Sequence, residues 1–340
     1  MLLQTPRMDR RTILKTLGSV AAGAAFSTFS TYSFSATPAS AAAKPLRGLF
    51  PIGQTPFTED DKIDFACLAA EVEFCNRGGV PGFIWPQIAS GWSTMSSSER
   101  FAGTEAILAA GKGGKTALVI GVQTQGNDLP GAIAYAKHAA QHGADAICSL
   151  PPEGDSAAAL EYYKAIGSAT SLPLFVQTIG AMPVDSIVEM FRTIPTMRVV
   201  KDEAGDPLKR VTEIREKTGN KLAVFAGNGV RVMVDEMQLG FSGYCPVVAL
   251  ADVYQEAFEL YEAGKRREAF DMFGRILAFT SISHTNQYLM VARGIFKENT
   301  RSRPTPGMGD SAKPQPPLTE SDKQAVREAL NTYLKPYLRA

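Results

Sequence analysis

Short apolar runs alternate with longer segments of helical spacing from residue 49 to residue 250, and this alternation most constrains the fold. The apolar runs lie at 49–57, 82–87, 116–123, 146–150, 173–178, 197–202, 222–227 and 243–250. The helical segments between them lie at 65–77, 101–110, 129–142, 157–169, 184–191, 207–217 and 230–239. Strands that alternate with helices form right-handed βαβ units on a parallel sheet. Eight units predict an α/β fold of the (β/α)8 TIM barrel type, with a doubly wound open sheet as the alternative.

The strand-like runs stop after residue 250, and the remaining segments have helical spacing. These segments lie at 252–263, 266–283, 285–297 and 321–337, with a proline-rich link at 303–317. We therefore divide the chain into an export signal (1–43), a barrel (44–250) and a C-terminal helical segment (251–340).

The first residues have the order of a bacterial export signal. Arg10 and Arg11 form a twin-arginine pattern, a weakly apolar run follows at 17–26, and alanines at 41–43 offer a cleavage site. The apolar run is short and rich in small residues, so no stable membrane span is expected. This pattern predicts a periplasmic or secreted protein that uses the twin-arginine pathway; a disordered basic tail is the alternative.

The composition is that of an ordinary globular protein, with 45% hydrophobic residues in a chain of 340. The formal net charge of +1 gives no electrostatic footprint for nucleic acid, so no nucleic-acid partner is expected. Four cysteines in this length do not form a disulfide scaffold. Cys148 and Cys245 lie in apolar runs and are predicted to be buried thiols.

His138 and His142 are four residues apart in a predicted helix, a spacing that can bind zinc. No glutamate stands between them to act as a base, and the outer helices of a barrel face solvent. We therefore expect surface histidines and predict no metal site.

Lys201 ends the sixth apolar run, and the C-terminal ends of barrel strands surround the active site in folds of this type. Partial burial disfavours the charged amine and would lower its pKa. A neutral amine can attack a ketone and form a Schiff base. A lysine that simply leaves the strand end for solvent is the alternative.

Residues from about 48 to 338 resemble the dihydrodipicolinate synthase / N-acetylneuraminate lyase family, as a divergent, exported member. The segments that carry the resemblance occur in the order of the family: Gln54-Thr55-Pro56-Phe57, Ala89-Ser90-Gly91, Val200-Lys201-Asp202 and Val224-Phe225-Ala226-Gly227. The resemblance implies a (β/α)8 barrel with a C-terminal helical segment and a homo-oligomer, either tetramer or dimer. It also implies action on pyruvate or another small-molecule 2-oxo acid through Lys201. No cofactor is implied, because the lysine itself forms the covalent intermediate.

The site residues that the resemblance implies depart from the family pattern. Gln177 stands where the family has a proton-relaying tyrosine, and an amide has no titratable proton near neutral pH. Ala89 and Ser90 replace two threonines of the substrate loop, and Ser90 is predicted to hold the substrate carboxylate. Cys245 completes the predicted substrate-binding group. Glu153, after the fourth strand, is a candidate for the missing acid/base.

These departures argue against dihydrodipicolinate synthesis. The sequence predicts a Schiff-base-forming lyase or dehydratase of the class I aldolase type, acting on pyruvate or another 2-oxo acid. The alternatives are a non-catalytic periplasmic 2-oxo-acid-binding protein on the same fold and an oligomeric scaffold with a vestigial pocket.

Overall fold

The computed structural model describes residues 43–227, 230–305, 313 and 316–340. The predicted export signal lies outside this part of the chain except for Ala43. Among the described residues, no helix combines the length and the apolar character needed to cross a bilayer.

Eight parallel strands form one sheet in the order β1-β8-β7-β6-β5-β4-β3-β2. The strands are β1 (Gly48–Leu49), β2 (Gly82–Trp85), β3 (Ala117–Gly121), β4 (Ala146–Ser149), β5 (Leu174–Gln177), β6 (Met197–Lys201), β7 (Ala223–Ala226) and β8 (Gly243–Tyr244). Ile52, just past β1, forms bridges to both Ile84 of β2 and Val247 after β8. The two ends of the sheet therefore meet, which confirms the TIM barrel and excludes the open sheet.

The seven helices predicted between the strands are present, and capping side chains mark where four of them begin. They are α1 (Phe65–Arg77), α2 (Ser97–Ala110), α3 (Leu129–Gln141), α4 (Ser156–Ala169), α5 (Val184–Thr193), α6 (Pro207–Lys217) and α7 (Met233–Leu239). Helix α2, for example, begins at a capping box in which Ser96 and Glu99 satisfy each other's backbone N–H groups.

Four helices follow the barrel: α8 (Ala251–Glu262), α9 (Arg266–Thr280), α10 (Thr285–Ala292) and α11 (Glu320–Tyr333). The carboxylate of Asp252 in α8 is fully buried and accepts hydrogen bonds from Arg293, at 2.8 Å, and from the backbone N–H of Arg339. Arg293 also donates to the backbone carbonyl of Ala340. This buried ion pair fixes the end of the chain against α8.

The barrel interior is filled by an apolar cluster that is separate from the layer between strands and helices. It includes Phe175 of β5, Val199 of β6 and Phe225 of β7, whose neighbours along each strand point outward. Side chains two apart on a strand share a face. Gln177 and Lys201 therefore face the inside of the barrel, one step nearer its C-terminal mouth than Phe175 and Val199.

Candidate active site

Lys201 is the last residue of β6, directly paired in register with Gln177 at the end of β5. Only 6% of Lys201 is exposed. The lysine therefore does not leave the strand end for solvent, and its amine lies within the mouth of the barrel.

The amine of Lys201 forms an ion pair with Glu203, with 2.8 Å between Nζ and Oε2. Burial alone would lower the pKa of Lys201, but the charge of Glu203 and the hydrogen bond to it raise that pKa above its usual value. The lowered pKa expected from the sequence is wrong, because that expectation considered burial without the carboxylate two residues along. The amine is held as an ammonium in the resting site.

Gln177 contacts the same carboxylate from the neighbouring strand. Its side-chain N–H donates to Glu203 Oε2, so one carboxylate oxygen joins Lys201 and Gln177. The other end of the amide, Oε1, is buried and has no hydrogen-bond partner among the residues that the structure describes. Within the described part of the chain it is therefore an unused acceptor on the residue that pairs with Lys201.

Gly227, just after β7, makes room for the Glu203 carboxylate. A Cβ atom built on Gly227 would overlap Oε1 and the carboxyl carbon of Glu203. Any larger residue would displace the carboxylate from Lys201. The glycine therefore leaves the space that this carboxylate occupies beside Lys201.

The turn after β6 is held from the outside of the barrel. Thr178 Oγ1 accepts the backbone N–H groups of Glu203 and Ala204 and donates to Asp202 Oδ1, at 2.6 Å. The fully buried Asp202 also accepts two hydrogen bonds from Arg210 of α6. With Asp202 fixed outward, Lys201 and Glu203 on either side of it point inward.

Cys148 and Cys245 form part of the apolar wall inside the barrel and are buried thiols, as predicted. Burial raises the pKa of each thiol to about 12, although the positive charge of Lys201 acts in the opposite direction. Both stay protonated near neutral pH. Cys245, predicted to bind substrate, can offer an apolar surface near Lys201 but no charge.

Ser90 lies in a short 3₁₀ turn after β2 and is buried, whereas Ala89 beside it is exposed. The Ser90 hydroxyl accepts the backbone N–H of Gln87 at 2.9 Å and donates to the carbonyl of Gly53. Its hydrogen bonds thus hold the loop against β1. The role of Ala89 and Ser90 as carboxylate binders stays a prediction, and a substrate would have to exchange one of these bonds.

Glu153 is exposed in the loop after β4, and its backbone N–H and C=O both bond to the side chain of Asn127. The carboxylate that lies beside Lys201 is Glu203 instead. The sequence analysis missed it, although a signal existed: Lys201 and Glu203 are two apart on an extended segment, so they share a face.

Two tyrosines of α4 reach the strand ends from the helix side. Tyr163 Oη lies 2.9 Å from the carbonyl oxygens of both Ser149 and Gln177, and Tyr162 Oη is 2.8 Å from Ser149 Oγ. Burial raises the pKa of Tyr163 well above its ordinary value, so it remains a donor to the backbone. These tyrosines position the backbone of β4 and β5.

A cavity of about 200 Å³ lies beside the barrel between α2 and α3, lined by Trp92, Arg100 and Tyr135 among others. Lys201 does not line it. Trp85 is fully buried and donates its indole N–H to Thr55 Oγ1, so it is a packing residue.

Comparison with known proteins adds a decisive observation to this geometry. Residues 45–332 match the model of the dihydrodipicolinate synthetase family, which is most of the chain. The chain belongs to the dihydrodipicolinate synthetase family. The resemblance identified from the residues around Lys201 is therefore confirmed.

Curated relatives and solved structures agree with this family membership. The chain is 30% identical over 179 residues to the 4-hydroxy-tetrahydrodipicolinate synthase of Methanosarcina mazei; the match covers 50% of this chain and 59% of that enzyme, less than two thirds of its length. The dihydrodipicolinate synthase structure from Rhodopseudomonas palustris superposes with a TM-score of 0.70 at 21% identity, covering 84% of this chain and 97% of that one. N-acetylneuraminate lyase from Mycoplasma synoviae gives 0.71 at 18% identity, covering 85% and 98%. At these identities the structures support the fold alone.

Proposed function

We propose that this protein is a Schiff-base-forming lyase or dehydratase that acts on pyruvate or another 2-oxo acid. The observation that carries the proposal is the buried pair of Lys201 and Glu203 inside the mouth of the barrel. Family membership supports the same chemistry, and a family member, the YagE protein of Escherichia coli, is described in complex with pyruvate.

Glu203 supplies the proton transfers that imine formation needs. It accepts a proton from the Lys201 ammonium, and the neutral amine attacks C2 of the 2-oxo acid. Transfer of one proton from the amine nitrogen to the former carbonyl oxygen gives the carbinolamine. Its hydroxyl then leaves as water with one proton returned by Glu203. The products are a protonated imine on Lys201, one water and the Glu203 carboxylate, so atoms and charge balance.

The regenerated Glu203 carboxylate then serves as a base toward C3 of the bound substrate. Removal of that proton gives an enamine, and the electrons flow into the protonated imine. The same carboxyl group returns a proton in the reverse direction. Glu203 thereby takes the acid–base role that the amide of Gln177 cannot perform.

Gln177 positions this carboxylate and offers an acceptor to the substrate. Its N–H holds Glu203 Oε2, while its buried Oε1 is open to the hydroxyl of the carbinolamine or to a water. The replacement of a phenol by an amide argues against dihydrodipicolinate synthesis. No arginine follows Gln177 closely, which leaves the carboxylate site for aspartate semialdehyde without a matching residue.

The cellular setting is part of the proposal. The twin-arginine pattern at Arg10 and Arg11 supports export to the periplasm or the exterior. Assembly as a homo-oligomer is inferred from the family. Export differs from what a cytoplasmic biosynthetic enzyme requires.

One observation favours a second candidate, a 2-oxo-acid-binding protein without turnover. The raised pKa of Lys201 keeps a cationic amine that can bind a carboxylate without forming an imine. Proton NMR of pyruvate in D₂O distinguishes the two candidates, since an enamine exchanges the methyl protons. The enzyme exchanges them and the Lys201→Arg variant does not. Binding without exchange in the wild type supports the binding protein and rejects the enzyme.

A further inference from the structure

Two histidines and a carboxylate meet on the outer face of the barrel, between α2 and α3. His138 and His142 project from successive turns of α3, and Glu105 projects from α2. His138 Nε2 lies 2.9 Å and His142 Nε2 3.8 Å from the same oxygen of Glu105. The ligand atoms of the three residues all lie within 4.8 Å of one another. The third member of this cluster thus comes from the neighbouring helix.

The two distances to Glu105 are close to those between ligands of a small tetrahedral ion. With metal–ligand distances of about 2.0–2.1 Å, two ligands of a tetrahedral zinc ion are about 3.3 Å apart. The two nitrogen–oxygen distances, 2.9 and 3.8 Å, lie on either side of this value. Shifts of about 0.5 Å, within the reach of side-chain rotation, would bring each of these two nitrogen–oxygen distances to that value.

The local hydrogen bonds orient the donor atoms. His142 Nδ1 lies 2.9 Å from the backbone carbonyl of His138, and a carbonyl oxygen only accepts, so Nδ1 carries the proton. The lone pair of His142 therefore lies on Nε2, the atom that faces Glu105. The His138 ring packs edge-on against Phe101, with 4.6 Å between centroids. Bonding of the second ring nitrogen to a carbonyl is the usual support of a metal-bound histidine.

We propose that Glu105, His138 and His142 bind one Zn²⁺ ion that links α2 to α3, with a fourth position open to water. Two imidazoles and a carboxylate are a donor set for zinc and its neighbours among the transition metals, whereas Ca²⁺ and Mg²⁺ take oxygen ligands. Glu105 and His142 are exposed, so an ion reaches the site from solvent. The site is independent of the chemistry at Lys201.

Two features of the chain make the site accessible to experiment. The sequence has three histidines, so the third, His284, provides a matched control. All four cysteines are buried, which removes thiols as competing ligands in the folded protein. His284 has a positive φ of 65°, and asparagine tolerates such a backbone, so His284→Asn is the suitable control substitution.

The experiment is calorimetric titration of the metal-free full chain with zinc chloride, together with thermal unfolding with and without the ion. The wild type and His284→Asn are expected to bind one ion per chain and to unfold at a temperature several degrees higher with zinc. His142→Ala and Glu105→Gln are each expected to lose at least tenfold in affinity and most of the thermal shift. Both substitutions are at exposed positions, so the fold is retained.

The proposal is overturned if the wild type binds no zinc. It is also overturned if His284→Asn loses binding as much as the site variants do. A loss in only one of His142→Ala and Glu105→Gln would reject the three-residue ligand set. Activity toward 2-oxo acids does not enter this test, so its outcome is separate from that of the proposed function.

Discussion

The amine of Lys201 and the carboxylate of Glu203 lie 2.8 Å apart within the mouth of the barrel, two residues apart on one extended segment. The Glu203 carboxylate has two opposing effects on the reactivity of Lys201. The carboxylate holds the resting amine in its unreactive ammonium form, yet it is also the group placed to remove the proton. The same contact therefore sets the resting state and the first step of the proposed reaction.

Replacing Glu203 by glutamine should separate imine formation from turnover. Without the carboxylate charge, the main opposition to burial is lost and the pKa of Lys201 falls, so borohydride trapping should extend to lower pH than in the wild type. Turnover should fall by about 10²- to 10⁴-fold, because acid–base help is lost. The pH profiles of trapping and turnover measure both effects.

Glu153→Gln is the matched control, since it removes an exposed carboxylate outside the Lys201 contact. We expect its turnover to equal that of the wild type. A fall with Glu153→Gln and none with Glu203→Gln would restore the sequence-based assignment of Glu153 as the acid/base.

Gly227→Ala should reduce activity by displacing Glu203 rather than by unfolding the barrel. The new Cβ would overlap the Glu203 carboxylate. We expect turnover to fall at least tenfold with an unchanged circular dichroism spectrum. Gly274→Ala in α9 is the control, because a Cβ there meets open space. If Gly227→Ala is as active as the wild type, turnover does not depend on the position of the Glu203 carboxylate beside Lys201.

Asp202→Ala should destabilise the fold strongly. It leaves Arg210 without its buried partner and Thr178 without its acceptor, and breaking a buried ion pair costs about 3–5 kcal/mol. Urea unfolding measures the change. Asp185→Ala, which removes an exposed ion pair with Lys217, should leave the free energy of unfolding essentially unchanged. Similar urea midpoints for both variants would show that the contacts of Asp202 with Arg210 and Thr178 do not stabilise the fold.

Glu236 of α7 should make stability depend on pH. Burial, assisted by Asp235, raises its pKa from an ordinary 4.5 to about 7. Between these values the folded protein binds more protons than the unfolded chain, so the free energy of unfolding falls as pH rises from 4.5 to 7.

Glu236→Gln should remove that slope and stabilise the protein at pH values well above 7 by about 3 kcal/mol, measured by denaturant unfolding across the range. An unchanged slope in the variant would assign the pH dependence to other groups.

The architecture was predictable because short apolar runs and segments of helical spacing alternate without interruption from residue 49 to residue 250. Strands β1 and β8 are shorter than predicted, since the backbone past Leu49 and Tyr244 continues only as bridges at Ile52 and Val247. The position of Lys201 followed from parallel topology. Its charge state did not, because it depends on the distance to one carboxylate, which strand patterns leave open.

Reduction of the protein with borohydride in the presence of pyruvate, followed by peptide mapping, is the sharpest test of imine formation at Lys201. We expect the mass gain of a reduced pyruvate adduct on Lys201 and no adduct in the Lys201→Arg variant. An unmodified Lys201 across a panel of 2-oxo acids, or an adduct on another lysine, would contradict it.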